Sequence, residues 1–325
     1  MRSLVLGSFI HAHSVMVEDL PAVGQSVTAQ AMWAQFGGKG LNLALGLQRL
    51  QGDVALLMGV GQDAVGREVK SWLAEQGITN RHVLALGAQS GFGVGLVAAD
   101  GHNMIAIYPG ANALLTADHV DAFLRDCAPD HGLPAWLLAQ FEIDDAVILA
   151  AFRQARARGM VTFLNPSPWR PLSAELLALT DVMIVNEVEA ESLLAVRDVP
   201  ALAGQTLLTL DPADWARYFE HWIWQVGWRG RILVVTLGSL GAVVYAEGQV
   251  YAQAAFSVDA VDSIGAGDAF ACGFIHALQQ GKSITQALRA GNACGAIVTR
   301  QQGVLDALPS AIQLVDFLQL PPVGV

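Results

Sequence analysis

Apolar residues follow two different periods along most of the chain. Four or five consecutive apolar residues, as in 54–58 and 232–235, are typical of strands that are buried on both faces of a parallel sheet. Segments 40–50 and 65–77 instead repeat apolar residues every three or four positions, which predicts helices that follow those strands. This alternation predicts an α/β fold with a mainly parallel central sheet, in one domain over 1–325.

Three further segments alternate apolar with polar or small residues, which is the period of a half-buried strand. One is 26–31, and another is 91–108, which predicts two strands around Asp100-Gly101, a dipeptide typical of hairpins. The third, 256–261, predicts a strand that leads directly into a glycine-rich turn.

That turn is the stretch with the most specific chemistry, Asp262-Ser-Ile-Gly-Ala-Gly-Asp268. A helix is predicted to begin there, and the free amides of its first turn favour an anion such as phosphate. Gly265 and Gly267 let the backbone approach a ligand closely. Asp268 would repel a phosphate unless it takes a proton from a hydroxyl that attacks the phosphorus. The alternative is that Asp268 only caps the helix.

Composition narrows the classes of partner. The formal net charge is −11, and no run of Lys or Arg could neutralise successive phosphates, so a nucleic-acid partner is not expected. Mean hydropathy is high at +0.43, yet every apolar stretch is too short to span a bilayer, so we expect no membrane segment. Three cysteines lack disulfide or metal-site spacing, which predicts reduced thiols and a cytoplasmic protein.

Two motifs resemble one family. The run 262–268 resembles the C-terminal signature of the ribokinase-like carbohydrate kinases, the phosphofructokinase-B group, and Phe36-Gly-Gly-Lys-Gly-Leu-Asn-Leu-Ala44 resembles its N-terminal sugar-site signature. Segment 59–66 follows at the expected distance, and the Gly-Gly-Lys-Gly form is most similar to the ribokinase branch. The resemblance implies a three-layer α/β/α core and a small β-sheet lid made from segments of about 12–36 and 91–109.

The implied activity is transfer of the γ-phosphate of ATP to a primary hydroxyl of a small sugar, either ribose or a related pentose or hexose. The residues that match the family's motifs have implied roles. The implied catalytic residues are Asp268, Gly265, Ala266 and Gly267. The residues implied to bind the sugar are Gly38, Lys39, Asn42 and Glu142, and those implied to bind ATP are Asn186, Thr236, Gly238, Gly241 and Asn292. Mg²⁺ is assigned to Asn186 and Glu189, through water, and a monovalent cation such as K⁺ to Asp262 and the backbone of Ile264, near the turn 301–303.

One pair of positions departs from the family. Ribokinases place an Asn and an Asp where this chain has Ile10 and Ala12, and the loss of such contacts costs a ribose substrate about 1–3 kcal/mol. Either His11 or His13 replaces the missing contact, or the pocket takes a less hydroxylated or bulkier ligand such as a nucleoside. A nucleoside kinase is therefore one alternative, and a non-catalytic sugar or nucleotide sensor is another.

Two expectations concern surfaces. The exposed edges of a two-piece lid need cover, which predicts a homodimer sealed there. The segment 195–230 is longer than the resemblance implies and contains Trp215, Trp222, Trp224 and Trp228. Core packing is the default interpretation of these tryptophans, and a nucleotide-facing flap or an oligomer contact are the alternatives.

Overall fold

The computed structural model describes residues 1–98, 102–128, 135–193 and 212–319. A nine-stranded sheet forms its centre, and the strands pair in parallel except where β12 joins β11 and β13. Numbered in chain order and given in spatial order, these strands are β13 (Gln249–Gln253), β12 (Ala242–Ala246), β11 (Ile232–Thr236), β10 (Val182–Asn186), β9 (Val161–Asn165), β8 (Ala135–Gln140), β1 (Arg2–Leu6), β4 (Asp53–Val60) and β5 (Val83–Ala85).

Helices cover both faces of this sheet, which confirms the three-layer α/β/α architecture. One buried layer contains α1 (Lys39–Arg49), α2 (Ala64–Glu75), α8 (Ala266–Gln279), α9 (Ile284–Thr299) and α10 (Ala311–Gln319). The other contains α3 (Ala117–Cys127), α4 (Asp145–Ala157), α5 (Ala174–Ala178), α6 (Glu187–Leu193) and α7 (Pro212–Val226). Within the described ranges, no helix is both long enough and apolar enough to cross a membrane.

A separate four-stranded sheet, called the lid here, stands beside the core. In spatial order its strands are β3 (Ala31–Gly37), β2 (Ile10–Val17), β6 (Gly91–Ala98) and β7 (Asn103–Tyr108). The alternating segment 26–31 is not itself a strand, because residues 25–30 are irregular and exposed and β3 begins only at Ala31. The expected turn at Asp100-Gly101 lies outside the described residues.

The strand predicted at 256–261 is also absent, and the structure shows why. The amide of Asn292 in α9 donates to the carbonyls of Gln253 and Ala254, at 3.0 and 3.1 Å, and holds the chain against the helices where β13 ends. Beyond that point the segment has no neighbouring strand to pair with. Phe256 packs against Phe317 instead, whereas Val261 is exposed.

The tryptophan-rich segment is core where the structure describes it. Trp215, Trp222 and Trp228 are at most 4% exposed and belong to the layer of α7. Trp224 on the same helix is 82% exposed. Core packing is thus confirmed for three of the four tryptophans, while 195–211 lies outside the described residues.

Candidate active site

The site begins where β1 ends and α1 starts, and glycines permit this junction. A Cβ on Gly40 would lie 2.2 Å from the Cα of Gly7, so no side chain fits between the helix and the strand end. Gly38, at the N-terminus of α1, has a φ of 111°, which favours glycine. The first turn of α1 therefore lies directly on the carboxyl end of the sheet, where open α/β folds bind their ligands.

Asp268 meets this turn from the other side. Helix α8 begins at Ala266 and its N-cap is Gly265, with a φ of 80°, so Asp268 is not the N-cap residue. The Asn42 side chain donates from Nδ2 to Asp268 Oδ2 at 2.7 Å, and the Lys39 Nζ lies 3.6 Å from Asp268 Oδ1. Both of these contacts of the carboxylate come from α1.

The charge of Asp268 acts back on Lys39. It raises the pKa of Lys39, with Glu142 and Glu189 adding to the effect, while burial opposes it. Lys39 therefore carries its positive charge throughout the physiological range, next to the carboxylate that also accepts from Asn42.

Glu142 closes the cluster from the loop after β8. Its Oε2 accepts a hydrogen bond from the Lys39 amide at 2.7 Å and another from the Ser8 hydroxyl. Ser8 also accepts from the Gly40 amide at 3.2 Å. Burial raises the pKa of Glu142, and the bonds from Ser8 and Lys39 counter only part of that effect. The sequence analysis missed Ser8, although a polar residue that directly follows a buried strand is a usable signal.

A cavity of about 520 Å³ borders Glu142 on the lid side. Its walls are mainly apolar and include Ile10 of β2, Ile107 of β7 and Pro109, and they also contain Asp144, Asp145 and Arg170. Ala12 pairs in register with Gly93, which pairs with Ile107, so Ala12 faces the same side of the lid as Ile107. The two departures from the family pattern therefore give this side of the lid an apolar surface.

The structure does not bring His11 and His13 to that cavity. Successive residues of a strand point to opposite faces, so both rings lie on the face opposite Ile10 and Ala12. There the His11 Nδ1 is 3.3 Å from the His13 Nε2, and His11 lines a separate cavity of about 310 Å³ with Asp63. Burial and the neighbouring His13 lower the pKa of His11. This geometry corrects the expectation that either histidine replaces the missing contact.

A second cleft lies on the far side of the α8 N-terminus. It measures about 460 Å³ and is lined by the loop after β11, the first turn of α8 and the middle of α9. The residues expected to bind ATP that border it are Thr236, Gly238, Gly241 and Asn292, together with Ala266 and Gly267 of the catalytic turn. The Asn292 amide is already bonded to the loop backbone, so this residue shapes the wall of the cleft.

Asn186 and Glu189 form two hydrogen bonds with each other at the end of β10, each between a backbone amide and the other residue's side chain. Glu189 Oε2 accepts from the Asn186 amide at 2.9 Å, and Asn186 Oδ1 accepts from the Glu189 amide at 2.8 Å. Glu189 is 5% exposed. In the part of the chain that the structure describes, no three His, Cys, Asp or Glu side chains cluster as a metal site, so these two residues offer few direct ligands.

Asp262 joins the two segments expected around a monovalent cation. Its Oδ1 accepts from the Ile264 amide at 2.9 Å, and its Oδ2 faces the Gly303 amide at 3.4 Å. The loop before α8 and the turn 301–303 are therefore neighbours.

The chain is similar to known proteins over nearly its whole length. A family model described as pfkB family carbohydrate kinase matches residues 2–311. The chain is 30% identical to the ribokinase of Haemophilus influenzae, with 97% of each protein covered. It is 28% identical to the deoxyribokinase of Salmonella typhi, over 98% of this chain and 99% of that protein.

A solved structure has the same fold. The structure of Arabidopsis thaliana ribokinase complexed with ribose and ATP superimposes with a TM-score of 0.80 at 23% identity, covering 98% of this chain and 99% of the other. Since the family model matches almost the whole chain, the protein belongs to the pfkB family of carbohydrate kinases and is an ATP-dependent sugar kinase of the ribokinase-like type.

Proposed function

We propose that the protein transfers the γ-phosphate of ATP to the primary hydroxyl of a small sugar and that Asp268 is the general base. One observation carries the proposal. In the first turn of α8, Ala266 and Gly267 line the 460 Å³ cleft, while the carboxylate of Asp268 in the same turn meets Lys39 and Asn42 of α1.

In this arrangement the sugar hydroxyl gives its proton to Asp268 as its oxygen attacks the γ-phosphorus. The free amides of the turn from Gly265 to Asp268 and the positive end of the α8 dipole stabilise the charge that develops on the phosphoryl group. Lys39 adds a fixed positive charge 3.6 Å from the carboxylate. The protein's contribution is therefore mainly positioning and electrostatics.

The sugar is held by the first turn of α1 and the loop after β8. Lys39 and Glu142 offer charged groups, and the Oδ1 of Asn42 is a buried acceptor without a partner among the described residues. Ile10 offers only apolar contact from the lid. We therefore favour a pentose with one apolar edge, such as a deoxypentose, which agrees with the similarity to a deoxyribokinase.

A nucleoside is the second candidate substrate. The cavity beside Glu142 has about 520 Å³ and apolar walls, which leaves room for a planar group attached to the sugar. Such a group would pack against Ile10 and Ile107 instead of using hydroxyl contacts.

We also propose that the protein binds Mg²⁺ and a monovalent cation. Glu189 and Asn186 fit a Mg²⁺ ion that keeps most of its waters, because a buried carboxylate stands beside an amide at a strand end and no larger cluster exists in the described ranges. When bound, Mg²⁺ neutralises charge on the phosphates of ATP. Asp262 and the backbone of Ile264 are proposed to border a K⁺ ion.

We further propose a cytoplasmic homodimer that is sealed through the lid. Ile105 and Ile107 alternate on one face of the edge strand β7 and are 63% and 50% exposed, an apolar surface that a partner would cover. Ile107 also lines the sugar-side cavity, so the partner would help to close it. The three free cysteines, of which Cys272 and Cys294 are buried, suit a reducing compartment.

Asp268→Asn tests the catalytic role. The substitution keeps the shape of the side chain but removes the proton acceptor, so kcat is expected to fall by about 10²–10⁴-fold while the Kd for ATP stays within about twofold. Stopped-time assays and calorimetric titration give the two values. An Asp268→Asn enzyme with near-normal kcat would refute the assignment.

Glu142→Gln tests the buried carboxylate by its effect on stability. Because burial raises the pKa of Glu142 in the folded state, its ionisation reduces the free energy of unfolding as pH rises from about 4.5 through the raised pKa. Glutamine does not ionise, so the free energy of unfolding of the variant should rise relative to that of the parent as pH increases from 4.5 to 7.5. Urea unfolding across this range measures the difference, with the exposed Glu75→Gln as control. A constant difference across the range contradicts the interpretation.

Ile105→Glu tests the dimer. A charge in the centre of a buried apolar contact is expected to shift the protein from dimer to monomer in light scattering at micromolar concentration. Ile312→Glu, at a position that is 70% exposed on α10 outside the lid, should leave the dimer intact. A parent protein that is already monomeric would refute this proposal.

A further inference from the structure

A buried glutamine at the end of β8 lacks a partner for its donor. Gln140 is 3% exposed, and its Nε2 makes no hydrogen bond within the described residues. An unpaired buried amide group lowers the stability of the fold, so its presence at position 140 needs an explanation in its surroundings.

The strand period fixes the direction of this side chain. Trp136 and Leu138 of β8 pack in the layer of α1 and α8, whereas Ala139 and Phe141 pack in the opposite layer. Gln140 has the same parity as Trp136 and Leu138 and therefore points towards α1 and α8.

The sheet register fixes its height. Val5 of β1 pairs with Leu138, which places Gly7 beside Gln140, about 4.8 Å away in the next strand. Gly7 is the residue that the first turn of α1 touches through Gly40. The Gln140 side chain consequently lies beneath the turn that carries Lys39 and Asn42.

That turn holds a complementary atom. Asn42 is 6% exposed, and its Oδ1 is a buried acceptor without a partner in the described ranges. Its Nδ2 is engaged with Asp268 at 2.7 Å. The amide has only one useful orientation, because the flipped form would turn the oxygen of Asn42 against the carboxylate of Asp268.

We propose that Gln140 is a positioning residue for phosphoryl transfer: its Nε2 donates, through one buried water, to Asn42 Oδ1 and keeps Asn42 Nδ2 directed at Asp268. A buried water of this kind typically satisfies two or more polar groups that would otherwise lack partners. The inference rests on the proposed role of Asp268 as the base.

A double-mutant cycle tests this chain of contacts. Gln140→Met keeps the volume and removes the donor, so kcat with the best sugar substrate should fall by about 10- to 100-fold, with the KM for ATP unchanged. In an Asn42→Ala background the same substitution should change kcat by less than about twofold, because the group it positions is gone. Independent effects of the two substitutions would overturn the proposal, as would a Gln140→Met enzyme with parental kcat.

Two further variants separate positioning from folding. Gln279 is also buried in this layer, near the opposite end of the sheet, and donates to the Ser3 hydroxyl at 2.8 Å, so Gln279→Met should lower stability and leave kcat unchanged. If Gln140→Met does not fold, Gln140→Leu also removes the donor with a smaller apolar side chain, and kcat should fall as far. If the Gln140 variants keep the parental kcat while Asp268→Asn is inactive, this inference is refuted and the proposed function stands. If Asp268→Asn is active, the proposed function itself is refuted.

Discussion

The contact between the end of β1 and the start of α1 sets the geometry of the whole site. Because a Cβ on Gly40 would lie only 2.2 Å from the Cα of Gly7, the helix can rest on the strand only while position 40 lacks a side chain. The contact brings the Lys39 amide to Glu142 and the Asn42 side chain to Asp268. A shift of α1 by the width of a methyl group would break both bonds together, so the two halves of the site depend on one backbone approach.

The charged groups at this junction act on the stability of the fold in opposite directions. Burial favours the neutral form of Glu142, so its charge opposes folding, whereas the surrounding carboxylates stabilise the charge of Lys39. Asn42 keeps an acceptor free in a buried position. Such unpaired or strained groups are expected where a substrate supplies the missing partners, and they mark this junction more clearly than the cavities alone do.

The sequence was sufficient for the architecture because the parallel strands are continuous apolar runs and the helices have regular periods. The turn around Asp268 and the turn around Lys39 could both be placed at helix starts from their glycines. The strand expected at 256–261 was wrong, since alternation reports one-sided burial and cannot tell whether a neighbouring strand exists. The side of the lid that His11 occupies depends on the pairing register, and the partners of Ser8 and Gln140 depend on contacts distant in sequence.

The lid explains where substrate choice can arise. One side of the lid presents Ile10, Ala12 and Ile107, while the groups proposed to bind the sugar hydroxyls belong to the core. Under the proposed function, the core cluster carries out the reaction, and the lid selects the number of hydroxyls or the size of the substituent on the sugar.

The most direct test of the central claim is to measure ATP consumption in the presence of Mg²⁺ and K⁺. The acceptors are ribose, 2-deoxyribose, fructose and inosine, and NMR of the product shows which hydroxyl is phosphorylated. The account predicts turnover that depends on the acceptor, with the new phosphate on its primary hydroxyl and with 2-deoxyribose at least as good as ribose. Folded protein that binds ATP but phosphorylates none of these acceptors, or that phosphorylates a secondary hydroxyl, would contradict it.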